Sequence, residues 1–260
     1  MSTQPRRQVP ETWYETSFGA EYLRIYRRRD ELQARNEVEF VIDQLRLDVG
    51  APVLDLCCGA GRHLKWLRRN GLAALGLDLS GPLLEAAQER LSAADDGGGA
   101  APLVRADMRS LPFAGAFRGL VSFFTSFGYF ADAGDDARAV AEMGRVLAPG
   151  GRFVVDLMDR ESVVRDLVPR SLRSEGDMEI AEERWISDDG GRVEKEVTVT
   201  RAGAVQRFHE SVRMYTRADA EALLASGGLH VETCFGDFHG TAHDPGATAR
   251  MILVGSRGQQ

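Results

Sequence analysis

The chain has 260 residues, 43% of them hydrophobic, 8% aromatic and 27% charged, fractions that exclude wholesale disorder, collagen-like repeats and a disulfide-stapled miniprotein. A total of 32 Lys and Arg against 39 Asp and Glu leaves a net charge of -7, which argues against nucleic acid as the main partner because phosphate neutralisation needs a basic face. The three cysteines, Cys57, Cys58 and Cys234, make neither a disulfide framework nor a metal-ligand spacing. No metal is expected. With no apolar leader and no apolar run of ~20 residues, the expectation is a cytoplasmic protein that does not engage a membrane.

In chain order, residues 1–10 are polar and carry two prolines, so they are expected to fray. From Thr12 to Leu47 apolar residues recur at helical spacing, beginning with Trp13, Tyr14, Phe18 and Tyr22. The basic cluster Arg24, Arg27, Arg28 and Arg29 reads as a solvated helix face. PVLDLCC (52–58) is a short apolar strand, followed by the turn Gly59-Ala60-Gly61 and a helix that stops at Gly71. LAALGLD (72–78) is a second strand, and Ser80 caps a helix to Leu91. After the loop 95–100 come strands at 101–107 and 119–126, a helix from Asp135 or Asp136 to Leu147, and a fifth strand at 152–158. Apolar strands alternating with helices predict a doubly wound, mostly parallel α/β sheet covered on both faces.

After Pro169 the pattern changes to period two, over 179–187, 191–200 and 204–216. The turns Asp188-Asp189-Gly190-Gly191 and Ala202-Gly203 predict an antiparallel, half-exposed sheet. Thr216 with Asp219 imitates a capping box for a helix to Ala225. Strands at 229–235 and 249–256 then return to the main sheet, for seven strands in all. The organisation is one domain: an N-terminal helical lid (1–49), a Rossmann-like core (50–170 and 216–260) and an inserted antiparallel β cap (171–215).

A strand that runs through a glycine turn into a helix offers backbone N–H groups to a ligand. The dinucleotide fingerprint asks for a third glycine where this chain has Leu64. Asp55 ends the first strand, Asp78 closes the second nineteen residues after Gly59, and Asp107 closes the third. A carboxylate at Asp55 would repel a pyrophosphate, yet it accepts hydrogen bonds from its turn or attracts an ammonium group. Asp78 stands where a ribose diol donates, and Asp107 where an exocyclic adenine amine does. Three acids in this order suit a cationic, phosphate-free nucleoside.

These residues resemble the class I S-adenosylmethionine-dependent methyltransferases, small-molecule N-methyltransferase branch. VLDLCCGAGRH (53–63) looks like the family's glycine motif, LGLDLS (75–80) its ribose motif and RADMRSLPF (105–113) its adenine motif. LVSFFTSFGYF (120–130) resembles the fourth-strand motif and VLAPGGRFVVDL (146–157) the fifth-strand motif. The resemblance implies S-adenosyl-L-methionine as cofactor. It implies that Gly59 and Gly61, with Cys57 beside them, let the backbone approach the methionine portion, with Asp55 orienting the turn or meeting the amino group. By the same resemblance Asp78 takes the ribose hydroxyls, Leu79 and Met108 the adenine faces, and Asp107 the adenine amine. Phe124 and Thr125 are then expected near the methionyl end or sulfonium.

The nucleobase-methylating pattern of prolines after strand four is absent from Thr125-Ser126-Phe127-Gly128-Tyr129. The acceptor is therefore expected to be a small-molecule amine or hydroxyl. Tyr129 and His209 are the candidate catalytic residues, as positioning groups or base. Tyr14, Tyr22, Arg213, Tyr215 and His239 are candidates for substrate contact, with helix packing the competing reading for the two N-terminal tyrosines. A nicotinamide-dependent oxidoreductase and a non-catalytic cofactor-binding module are the alternatives. The acceptor's identity and the oligomeric state are not legible.

Overall fold

Three short helices precede the first strand: α1 (Trp13–Ser17), α2 (Ala20–Ile25) and α3 (Glu31–Leu45). The structure is a computed structural model and describes residues 9–26, 31–92 and 102–259. Most of the tail that was expected to fray, Arg27, Arg28 and Arg29 of the basic cluster, and the loop 95–100 lie outside those residues. Arg24 pairs with Glu21 on an exposed helix face at 2.6 Å.

The core then alternates as expected: β1 (Pro52–Leu56), α4 (Arg62–Arg69), β2 (Ala73–Asp78), α5 (Gly81–Ser92), β3 (Leu103–Arg105), β4 (Phe117–Ser122), α6 (Ala133–Val146) and β5 (Leu147–Met158). Val53, Leu54, Leu56 and Leu77 are wholly buried, the signature of strands covered on both faces. After α7 (Arg160–Asp166) comes an antiparallel run, β6 (Arg170–Glu175), β7 (Met178–Ile186), β8 (Arg192–Arg201) and β9 (Ala204–Arg213). Then α8 (Arg217–Ser226), β10 (Leu229–Phe235) and β11 (Arg250–Arg257) close the chain.

The seven-stranded sheet has the order β10-β11-β5-β4-β1-β2-β3, and the four-stranded sheet the order β6-β7-β8-β9. β1, β2, β3, β4 and β5 are parallel, whereas β11 runs antiparallel to both β5 and β10. The chain winds outward from β1 through β2 to β3, then crosses to β4 on the other side of β1. That reversal leaves a crevice beyond the carboxyl ends of β1 and β4, the usual place for a ligand in an open α/β sheet.

Several boundaries differ from the sequence reading for local reasons. α6 starts at Ala133, two or three residues early, because Asp132 rather than Asp135 or Asp136 is the cap and accepts from Gly134 N. β4 stops at Ser122 because Phe124 and Thr125 turn left-handed, at φ 58° and 52°. β5 takes in Pro149-Gly150-Gly151, and its pairing with β4 shifts register between Phe117 and Gly119. β6 escaped notice because Arg170–Glu175 carries one large apolar residue, Leu172, which is exposed. The Thr216–Asp219 capping box forms in full. Ala202 and Gly203 both adopt positive φ, as a two-residue hairpin of this twist requires.

Gly61 (φ 71°) caps α4 at its N-terminus, and a Cβ there would meet Ala87 Cβ of α5 at 3.0 Å. Gly61→Ala combines left-handed strain with overpacking, and should cost about 1–3 kcal/mol in urea unfolding. A loss below ~0.5 kcal/mol would show that α5 yields freely.

Candidate active site

Each candidate residue of the crevice is placed by a strand end. The backbone leaves β1 through left-handed Cys57 (φ 61°), then Gly59 (φ 55°) and Gly61. Asp78 stitches this turn to the next one: its Oδ2 accepts Gly59 N and its Oδ1 accepts Ser80 N, each at 2.9 Å. Asp78 is buried; burial raises its pKa and the N–H groups of Ser80 and Gly59 offset part of that rise. Asp55 is deeper, 2% exposed. Burial, with the charge of Asp78 adding to it, pushes its carboxyl well above the usual range. Asp55 Oδ2 has no hydrogen-bond partner. The same burial and the same acids raise the thiols of Cys57 and Cys58, which disfavours their thiolates.

A cavity of about 570 Å³ opens above these acids. Of the sequence candidates, Asp55, Cys57, Gly59, Asp78, Leu79, Asp107, Met108, Phe124, Tyr14, Tyr22 and Tyr129 all line it. Asp107 is not a bare acceptor. Arg109 Nη2 meets its Oδ2 at 2.6 Å and Arg109 Nη1 reaches Asp135 at 2.6 Å. Burial works against ionisation of Asp107, but the Arg109 hydrogen bonds outweigh it and hold the pKa low. One wall is aromatic: Phe18 stacks on Tyr129 with ring centres 5.7 Å apart, and its edge contact with Tyr22 spans 5.0 Å. Ser80 Oγ donates to Phe18 O, so the N-terminal segment is tied to the turn after β2.

The opposite wall is a strained turn. Phe124 N donates to Asp156 Oδ2 at 2.7 Å and Thr125 N to Asp156 O at 2.9 Å. Arg250 Nε pairs with Asp156 Oδ1, and its Nη2 reaches Thr125 Oγ1 at 3.4 Å. Two successive non-glycine residues with φ > 0 cost roughly 1–3 kcal/mol each, and buried Asp156, paired with half-buried Arg250, holds them there. The Phe124 ring has the Arg62 guanidinium 4.7 Å away and that of Arg250 5.5 Å away. A ring already serving two cations is poorly placed to stabilise a third. Thr125 contacts the Arg250 side of the turn and does not line the cavity.

Six expectations fall away from the cavity. Gly61 packs on α5. His209 is held by its backbone, which exchanges hydrogen bonds with Ser17 Oγ at 2.8 and 3.2 Å, while its ring faces Glu196. Arg213 and Tyr215 share a partner, buried Asp136, at 2.9 and 2.7 Å. They clamp the cap to α6. His239 sits in an exposed turn organised by Asp237. Thr125 is the sixth, as described.

Sequence reasoning missed Arg62 and His63, which also line the cavity. His63 Nε2 lies 2.8 Å from Glu37 Oε2 and the ring stacks on Phe123 at 3.9 Å. Arg62 Nη2 lies 3.8 Å from the same carboxylate. Two basic residues directly after a glycine turn were the available signal; Glu37, on α3, can be paired with them only in three dimensions.

A family model described as a methyltransferase domain matches residues 53–151. The dTDP-3-amino-3,4,6-trideoxy-alpha-D-glucopyranose N,N-dimethyltransferase of Streptomyces venezuelae is 29% identical over 81% of this chain and 84% of its own. The dTDP-4-amino-2,3,4,6-tetradeoxy-D-glucose N,N-dimethyltransferase of Saccharopolyspora spinosa is 25% identical over 96% of this chain and 99% of its own. Among solved structures, the CcbJ methyltransferase of Streptomyces caelestis superposes with a TM-score of 0.79 at 18% identity, covering 94% of this chain and 99% of that one.

The orphaned Asp55 carboxyl has a consequence for stability. Its folded pKa lies above the unfolded value of ~3.9, so folding is favoured most below that value and the contribution is lost as pH rises through the folded pKa. Asp55→Asn should therefore raise the melting temperature of the ligand-free protein at pH 7–8, with the gain shrinking towards pH 4. A lower melting temperature at pH 8 would mean that Asp55 has a favourable partner.

Proposed function

We propose that this chain, a class I S-adenosylmethionine-dependent methyltransferase of the small-molecule branch, delivers the methyl group to an amine nitrogen. One observation favours the amine over a hydroxyl. Both relatives described above are named as N,N-dimethyltransferases of amino sugars. An amine can also arrive neutral and needs no base, whereas a hydroxyl acceptor would call for one.

The observation that carries the cofactor assignment is the buried, partnerless Asp55 oxygen beside buried Asp78. A cationic nucleoside without phosphates fits that floor, and a pyrophosphate does not. Dinucleotide binding is also disfavoured because Leu64, at the third-glycine position, is wholly buried core. In this reading Asp55 meets the cofactor's amino group, Arg62 its carboxylate, Asp78 the ribose hydroxyls, and Leu79 and Met108 flank the base. Asp107, already held by Arg109, keeps lone pairs for the adenine amine. Gly59 fixes the turn through Asp78.

When bound, the cofactor supplies an electrophilic methyl carbon on a sulfonium. Asp55, Arg62, Asp78, Leu79 and Met108 would hold it with that carbon open to the lone pair of an acceptor amine. What this chain does is align and dehydrate. Tyr14, Phe18, Tyr22 and Tyr129 form a rigid aromatic wall, and orientation of this kind supplies up to ~7–11 kcal/mol of a barrier. Tyr129 is a positioning hydrogen-bond group rather than a base. The N-terminal helices and the antiparallel sheet act as lid and cap of one functional unit. Among the described residues no helix is long and apolar enough to cross a membrane, and the free cysteines suit a reducing cytoplasm.

Asp78→Ala should weaken S-adenosylhomocysteine binding by ~1.5–3 kcal/mol, the range for hydrogen bonds to charged groups, in calorimetry on protein whose fold is verified by circular dichroism. Amine methylation is checked by transfer of labelled methyl to a panel of amino sugars and their hydroxy counterparts. Transfer to the hydroxy compounds alone would reverse the acceptor assignment.

A further inference from the structure

Three acids stand at or just past the ends of β1, β2 and β3, and their surroundings differ. Among the described residues no cationic side chain pairs with Asp55 or Asp78, whereas Asp107 is gripped by Arg109. Resting on the reading that Asp107 faces the adenine of the cofactor, we propose that Arg109 is the positioning residue that sets base specificity. It makes Asp107 read a 6-amino purine and reject a 6-oxo one.

Arg109 grips from behind. Among the described residues, Asp107 lines the cavity and Arg109 does not. The Arg109 backbone N donates to Asp107 Oδ1 at 2.8 Å, Nη2 donates to Oδ2 at 2.6 Å, and Nε is shared between both oxygens at 3.1 Å. Three N–H groups thus occupy a carboxylate that has about four acceptor sites. One site is left, the number that a single N–H of an amino group needs. The fork is itself anchored. Its Nη1 donates at 2.6 Å to Asp135 Oδ2, in the first turn of α6, and the guanidinium lies 4.4 Å from the centre of the Phe130 ring. Arg109 is also hydrogen-bonded to Tyr14, so it has no freedom to release Asp107 without disturbing the aromatic wall.

Adenine and hypoxanthine differ at the atoms that meet this carboxylate. A 6-amino group donates and needs an acceptor. A 6-oxo group accepts, and would set its own lone pairs against those of Asp107. The neighbouring ring nitrogen inverts too, from an acceptor to an N–H. A carboxylate free to rotate could follow that N–H, and one that gained a proton could donate to the oxo group. Arg109 closes both escapes. Its bidentate fork holds the plane of the carboxylate, and its hydrogen bonds keep Asp107 ionised although burial works the other way. Asp55 and Asp78, which have no such partner, are both shifted in the opposite direction by burial. A lysine in place of Arg109 would supply the charge without the fork.

The test compares S-adenosylhomocysteine with S-inosylhomocysteine, its 6-oxo counterpart, by calorimetry on the wild-type protein, Arg109→Gln, Arg109→Lys and Asp107→Asn. Circular dichroism verifies the fold of each variant. The wild-type protein should prefer the amino compound at least about tenfold, as the loss of one hydrogen bond to a charged group implies. That preference should shrink about fivefold or more in Arg109→Gln, and in Asp107→Asn, whose amide can donate to the oxo group. A merely structural Arg109 would weaken both ligands alike and leave their ratio unchanged. Equal binding of the two compounds by the wild-type protein, or an unchanged ratio in Arg109→Gln, would overturn the proposal; Arg109→Lys, also expected to lose preference, decides in the same way if the glutamine variant does not fold. The cofactor reading is separable. Failure of S-adenosylhomocysteine to bind, or full preference retained in Asp107→Asn, removes that reading and this proposal with it. Preference lost in Asp107→Asn but kept in the Arg109 variants removes only the role of Arg109.

Discussion

Two carboxyl groups, Asp55 and Asp78, are buried at the ends of adjacent strands, and among the described residues no cationic side chain pairs with either. The fold places them there by the parallel register that sets Leu56 against Leu77, so the two strands end together. Asp78 recovers part of its burial cost through Gly59 N and Ser80 N, and Asp55 recovers less. A protein that keeps a carboxyl in this state gives up stability unless a bound cation compensates. The glycine turn, the left-handed Cys57 and the cap of α4 all follow from wrapping the backbone closely around that site.

The rest of the molecule holds walls around the floor. On one side the Asp156–Arg250 pair keeps the Phe124–Thr125 turn in a conformation that those residues would not adopt alone. β11 is needed for this, since Arg250 begins it; the last strand thereby completes a wall begun at β4. On the other side, the N-terminal segment is fastened to the antiparallel sheet. Ser17 binds the His209 backbone, Tyr26 donates to Glu210 at 2.9 Å, and Arg173 reaches Ile25 O at 2.8 Å. Arg192 gathers the 128–130 carbonyls from beneath, so lid, cap and Tyr129 are one connected wall.

The sheet was legible because its strands are short apolar runs between helix signals, and β10 was read to the residue, at 229–235. The acids were legible because strand ends in such a sheet point into one crevice. What the sequence concealed was tertiary. Nothing local announces that Asp156, in an apolar strand, restrains a turn more than thirty residues earlier in the chain. The sequence offered His209, Arg213 and Tyr215 as site candidates, but it could not tell a residue that lines a cavity from one that meets Asp136 or Ser17. The glycines divide similarly. At Gly61 the sequence shows a spacing but not that α5 approaches closely enough for an added Cβ to meet Ala87.

The central claim is that Asp55 awaits a cation, and proton counting tests it most directly. Heats of S-adenosylmethionine binding would be measured near pH 6 in buffers of differing ionisation enthalpy, where the ligand's amino group is already protonated. A carboxyl whose pKa is raised in the free protein and lowered by an ammonium partner must release a proton on binding. The account predicts net proton release by the wild-type protein and its loss in Asp55→Asn. Binding with no proton release, or with the same release in both proteins, would contradict it.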